Sequence, residues 1–185
     1  MSETQVHTYT FLFTDIEGST RLWEQHPDAM HMALERHDAV LRRACERNQG
    51  HVFKTIGDAF CVAFSSPVAA VQAAGQAQLE LKKTDFGPVG ALKVRMALYT
   101  GTARERDGDY FGTALNRVAR LMAAGHGGQV LISAATHELA RGRLDQGFGI
   151  NDLGSHQLRD LDRAETIFQL THHELPSDFP RLRSI

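Results

Sequence analysis

Two apolar runs, Val52–Ile56 and Ala59–Phe64, are separated only by Gly57-Asp58, and this constrains the fold more than any other feature of the chain. Strand-like runs joined by a two-residue glycine turn form a β-hairpin. On its N-terminal side, residues 8–15 are rich in aromatic and threonine residues and read as a strand, ending in Glu17-Gly-Ser-Thr20, where Gly18 permits a tight turn. The stripe Ala33/Leu34, Val40/Leu41 and Ala44 predicts one helix after that turn, with a stop at Asn48-Gln-Gly50. On its C-terminal side, Ser65-Ser-Pro67 supplies an N-cap and an early proline for a second helix to about Leu81. Leu92–Tyr99 reads as a strand bounded by Gly101. Residues 111–124 form an amphipathic helix closed by Gly125-His-Gly-Gly128, and Gln129–Ser133 returns as a strand. The order β-α-β-β-α-β, followed by further αβ elements, predicts a ferredoxin-like α+β sandwich.

With 185 residues, 42% of them hydrophobic and 23% charged, the chain is expected to bury one core as one domain. A net charge of -2 with interspersed signs offers no footprint for nucleic acid. Cys45 lies in a helix-like segment and Cys61 in an apolar strand, and both read as buried reduced thiols of a cytoplasmic protein. The N-terminus is polar and no apolar run is long enough for a signal peptide or a membrane span. The tail Pro176-Ser-Asp-Phe-Pro180-Arg-Leu-Arg has no period, so residues 173–185 are expected to be an extended arm or linker stub beyond a domain of residues 1–172.

The chemistry concentrates on a few polar residues. Asp15 ends the first strand-like run and Asp58 sits at the hairpin turn, placing two carboxylates where strand ends meet solvent, a setting that suits a hard divalent cation. Asn116 and Arg120, four apart on a helix, share one face and can reach one ligand. With Lys54 and Asp109 added, the set points to metal-assisted chemistry on a nucleoside triphosphate. The ten histidines show no ligand spacing with cysteine or glutamate, and His172-His173 lies in the tail.

Phe13-Thr-Asp-Ile-Glu-Gly-Ser-Thr20, Lys54-Thr-Ile-Gly-Asp58 and Asp109-Tyr-Phe-Gly-Thr-Ala-Leu-Asn-Arg-Val-Ala-Arg120 resemble the three signature blocks of class III nucleotidyl cyclase catalytic domains. The short stretch between Gly101 and Asp109 resembles the bacterial subgroup with a shortened dimerisation arm. The resemblance implies conversion of ATP to 3′,5′-cyclic AMP and pyrophosphate with two Mg²⁺ or Mn²⁺ ions. It assigns Asp15, Asp58 and the carbonyl of Ile16 to metal, Lys54 and Asp109 to the purine, Asn116 to the ribose and Arg120 to the charge developing at the α-phosphate. Arg95 and Arg159 match positions that hold the terminal phosphates. Lysine donating to adenine N1 and aspartate accepting from the 6-amino group favour ATP, since guanine presents the opposite pattern. In the family, metal aspartates and base-reading residues serve different sites of a dimer, so a homodimer with two composite sites is implied. Phe179-Pro-Arg-Leu-Arg-Ser184 resembles the junction that leads, in some bacterial relatives, into ATPase and regulatory modules, which implies additional domains beyond the C-terminus. Ser19 stands where the family often has an aromatic residue and Ala97 where it often has glycine. The alternative is a weakly active or inactive nucleotide-binding regulatory module of a larger signalling protein.

Overall fold

The computed structural model of the chain describes residues 5–145 and 147–183. Strand β1 (Val6–Ile16) leads into helices α1 (Ser19–Gln25) and α2 (Pro27–Arg47), then the hairpin β2 (His51–Ile56) and β3 (Ala59–Phe64), helix α3 (Pro67–Lys83) and strand β4 (Val94–Arg106). Strand β5 (Asp109–Phe111), helix α4 (Thr113–Ala124), strand β6 (Val130–Ser133), helix α5 (Ala134–Ala140) and the antiparallel pair β7 (Phe148–His156) and β8 (Glu165–His172) follow. The sheet order is β2-β3-β1-β4-β6-β8-β7, with β5 paired to β4. Its first four strands are the antiparallel ferredoxin-like sheet, in which α2 and α3 each cross from one strand to the next but one; β6 then joins β4 in parallel.

Local chemistry explains the turns. Gly57 takes φ +60° at the hairpin tip, where a side chain would be strained. Ser66 caps α3 by accepting the Ala69 N–H at 3.2 Å, with Pro67 in the first turn. The single helix expected after β1 is instead two. The His26 backbone leaves helical geometry at φ -136°, ψ 58°, and Pro27, which has no N–H to give to α1, starts α2. Strand β4 passes through Gly101 rather than ending there. A Cβ on Gly101 would lie 3.1 Å from the Ala114 Cβ, so the glycine admits α4 onto the strand.

Side-chain alternation divides the core between the sheet's two faces. Leu12, Phe60, Val62, Phe64, Met96 and Leu98 pack under α2 and α3. Phe11, Ala63, Ala97 and Leu131 face Val118 and Leu121 of α4. The Ala97 methyl is fully buried in this second layer. Cys45 and Cys61 are buried and unpaired. Burial, with the Glu46 charge adding to it against Arg42, pushes the Cys45 thiol up to about 12. Burial likewise pushes Cys61 up to about 11, against the pull of Lys54 and with the push of Asp109.

The C-terminal segment, expected as an arm, carries no helix or strand and lies along the core. Gln169 Nε2 donates to the Ser177 carbonyl at 3.0 Å, the Arg183 N–H donates to the Ala124 carbonyl at 2.8 Å, and Leu182 packs on the second layer. Among the described residues, no helix is long and apolar enough to cross a membrane.

Candidate active site

Asp15 is paired with Arg95 across the β1–β4 ladder. The guanidinium grips both carboxylate oxygens, Nε to Oδ1 at 2.7 Å and Nη2 to Oδ2 at 2.5 Å, with each side chain only about one-fifth exposed. This two-point hydrogen bond, against the opposing effect of burial, raises the Arg95 pKa, with smaller contributions from the charges of Asp15, Glu17 and Asp58. Asp58, at the tip of the β2–β3 hairpin, reaches back to β1, where the Ile16 N–H donates to its Oδ1 at 3.4 Å. Asp15, Ile16 and Asp58 are therefore neighbours at one end of the sheet, with a cation set between carboxylates. Two carboxylates beside a main-chain segment are a donor set that fits a hard divalent ion, and Arg95 now supplies positive charge there.

Lys54 and Asp109 come together from distant parts of the chain. The register of β2 shifts between Val52 and Lys54, and this bulge sets Lys54 opposite Cys61. On the other side, Tyr110 is 6% exposed and packs edge-on against Tyr9 and Phe11 and tilted against Phe53, which anchors β5. Lys54 Nζ then lies 3.2 Å from Asp109 Oδ2. The Tyr110 N–H donates to Asp109 Oδ1 at 2.7 Å; this bond and the Lys54 ammonium together outweigh partial burial and hold the Asp109 carboxyl below its ordinary value.

Helix α4 carries Asn116, which is exposed, and Arg120 one turn later. Arg120 is bound by Asp160 at 2.8 Å, and the same carboxylate lies 3.7 Å from Arg159. Asp160 adopts φ +57° in the loop before β8. Arg117, on the same helix, is committed elsewhere: it donates to the Tyr99 hydroxyl at 2.8 Å and pairs with Glu165 at 3.6 Å. Among the described residues, no hydrogen bond or ion pair links the Asp15, Ile16, Asp58 and Arg95 group to Lys54, Asp109, Asn116 or Arg120. Asp15, Ile16, Asp58 and Arg95 form one bonded group, Lys54 and Asp109 a second, and Arg120 with Asp160 and Arg159 a third.

The model of the adenylate and guanylate cyclase catalytic domain matches residues 1–172. The chain belongs to this family. An uncharacterized protein of Mycobacterium tuberculosis is 38% identical over 179 residues, covering 96% of this chain and 60% of that protein. The cyclase domain described here therefore spans about 60% of the length of such relatives. An adenylate cyclase of Neurospora crassa is 28% identical over 222 residues, covering 90% of this chain and 10% of that protein. Among solved structures, an adenylate cyclase of Trypanosoma brucei in its monomeric state superimposes with TM-score 0.86 at 29% identity, covering 96% of this chain and 94% of that one. The adenylyl cyclase CyaB of P. aeruginosa superimposes with TM-score 0.78 at 25% identity, covering 94% and 100%. The α+β architecture is that of the class III cyclase domain.

Four residues outside the sequence-derived set shape the site of this cyclase domain. Tyr110 positions Asp109, Asp160 binds Arg120, and Glu17 and Arg183 pair at 2.5 Å just after Asp15 and Ile16. Tyr110 and Glu17 sit inside the signature blocks, and Asp160 adjoins Arg159. Their partners, however, come from elements remote in sequence.

Proposed function

We propose that this domain is an adenylate cyclase, forming 3′,5′-cyclic AMP and pyrophosphate from ATP at composite sites of a two-fold homodimer. The observation that carries the reading is the Lys54–Asp109 pair: one donor and one acceptor, 3.2 Å apart, in the order that adenine N1 and its 6-amino group require. Family membership and similarity to proteins named adenylate cyclases support it. Asp15, Asp58 and the Ile16 carbonyl would hold two Mg²⁺ or Mn²⁺ ions. Ions bound there would neutralise the triphosphate and lower the pKa of the ribose 3′-hydroxyl.

The chain's own groups do the rest. Asn116 orients the ribose so that its 3′-oxygen faces the α-phosphorus, in line with the bond to the departing pyrophosphate. As the 3′-oxygen gives up its proton to solvent and bonds to phosphorus, and the bridging oxygen leaves with pyrophosphate, Arg120 exchanges Asp160 for the phosphate oxygens, where its planar donors match the developing charge. Arg95 exchanges Asp15 for the terminal phosphates, with Arg159 beside them. Family membership supports a second copy, turned by a two-fold axis, completing each site, with the metal set of one chain meeting the base-reading set of the other.

A second reading, a nucleotide-binding regulatory module of low turnover, is favoured by one observation: Asp15 and Arg120 are both held by partners within the chain. Steady-state assays of the purified protein with Mn²⁺ and either ATP or GTP separate the readings. Cyclic AMP formation with kcat/KM at least about tenfold above that for GTP is expected. Nucleotide binding without product establishes the regulatory module, and equal use of GTP refutes the assignment to ATP.

A further inference from the structure

Glu17 directly follows Asp15 and Ile16, and it is the point where three parts of the molecule meet. Its N–H donates to the Lys93 carbonyl at 2.8 Å, just before Arg95 on β4. Gly127, in the turn after α4, closes against it: a Cβ there would stand 2.7 Å from Glu17 Oε2 and 2.5 Å from the Lys93 Cβ. The third contact is the C-terminal segment, whose Arg183 guanidinium donates to Glu17 Oε1 at 2.5 Å.

That segment is seated by specific bonds along its length. A relay of buried amides runs from the His126 N–H to Gln129 Oε1 at 3.0 Å, from Gln129 Nε2 to Gln169 Oε1 at 2.7 Å, and from Gln169 Nε2 to the Ser177 carbonyl at 3.0 Å. Gln129 and Gln169 are each 2% exposed, so the bond between them has no water to replace it. His126 Nε2 lies 2.9 Å from the Arg181 carbonyl oxygen, and the Arg183 N–H caps the last turn of α4 at the Ala124 carbonyl. The Arg183 side chain and its own N–H therefore tie Glu17, at the end of the strand carrying Asp15, to the helix carrying Asn116 and Arg120.

We propose that residues 177–183 are a strap belonging to the catalytic domain, and that Arg183 is a positioning residue which, through Glu17, fixes the Asp15–Ile16 end of β1 for metal binding. The proposal rests on the cyclase reading for the role of Asp15. It also gives any domain attached after residue 185 a direct route to the site, because tension on the strap would be felt at Glu17.

The test uses the full chain and two readouts that need no turnover: hydrogen exchange of the peptide spanning residues 13–21, and Mn²⁺ binding to nucleotide-free protein by electron paramagnetic resonance. Arg183→Ala should speed exchange in that peptide and weaken Mn²⁺ binding, each by about fivefold, the factor that a partly exposed ion pair is worth. Arg183→Lys should restore most of both. Glu17→Gln should match Arg183→Ala, and the double variant should add nothing further. Unchanged exchange in Arg183→Ala overturns the strap's hold on the end of β1. Faster exchange with unchanged Mn²⁺ affinity overturns the positioning role. Wild-type protein that binds no Mn²⁺ refutes the metal-site reading, and the inference with it, before any variant is compared.

Discussion

Arg95 occupies Asp15, the carboxylate proposed to hold metal, and replacing it should make the metal bind more tightly while the nucleotide binds less well. Both oxygens of Asp15 are engaged, and the two side chains are 20% and 19% exposed, so little water competes for them. A charge-assisted pair of this kind resists separation by about 2 kcal/mol, which a cation arriving at Asp15 must overcome. Arg95→Ala removes that opposition and one nearby positive charge, so Mn²⁺ affinity of the nucleotide-free protein should rise by about thirtyfold. The same change deprives the terminal phosphates of a guanidinium, so the KM for ATP at saturating Mn²⁺ should rise. Arg95→Lys, which keeps the charge but not the two-point grip, should fall between on both measures. Loss of the pair costs the fold a similar free energy, about 4–8 °C in Tm for a domain of this size, so assays belong near 20 °C. Electron paramagnetic resonance of free Mn²⁺ provides the binding curve. An Arg95→Ala protein that binds Mn²⁺ no better than wild type would refute competition between guanidinium and metal at Asp15.

Two other outcomes follow from named contacts. Lys54→Glu places an acceptor against adenine N1, a mismatch of about 1–3 kcal/mol that should lower kcat/KM for ATP on the order of tenfold or more, with the double change Lys54→Glu/Asp109→Cys shifting preference further toward GTP. An unchanged ratio across the series, measured with both nucleotides, would show that these side chains do not read the base. The thiols offer a pH test: with Cys45 pushed up to about 12 and Cys61 to about 11, neither should react with a disulfide reagent at pH 8 in the native protein, and both should react after unfolding. Because the raised values protect the neutral thiols, this contribution to stability is full below the unfolded thiol value of about 8.5 and is lost as pH climbs from there toward about 11 for Cys61 and about 12 for Cys45. Rapid labelling of either cysteine at pH 8 would contradict their burial.

The features legible in the sequence are those written locally. Gly57-Asp58 between apolar runs marks its hairpin, Ser66-Pro67 opens α3, and the four-residue spacing of Asn116 and Arg120 puts them on one helix. Where a residue serves a distant partner, the local signal misleads. Gly101 resembles a strand end but makes room for α4, so β4 continues to Arg106. The bulge that turns Lys54 and the aromatic packing that carries Asp109 to it depend on Phe11, Phe53 and Tyr110 meeting across three strands. Asp15 reads as a free ligand in the sequence, yet its register opposite Arg95 gives it a cationic partner that only the sheet pairing reveals. The tail lacks any period because a strap is held by single hydrogen bonds to other elements rather than by a repeating pattern of its own.

Under the proposed mechanism each chain carries two half-sites that a second copy completes. Mixing Asp15→Ala with Arg120→Ala tests it most directly, since each homodimer lacks one half of every site, whereas a mixed dimer has one site with both lesions and one with none. Each variant alone should be inactive. After subunit exchange, shown by mass-tagged protomers, an equimolar mixture should recover about one-quarter of wild-type cyclic AMP formation, half of the dimers being mixed and each having one intact site. No recovery despite demonstrated exchange, or full activity in either variant alone, would contradict composite sites.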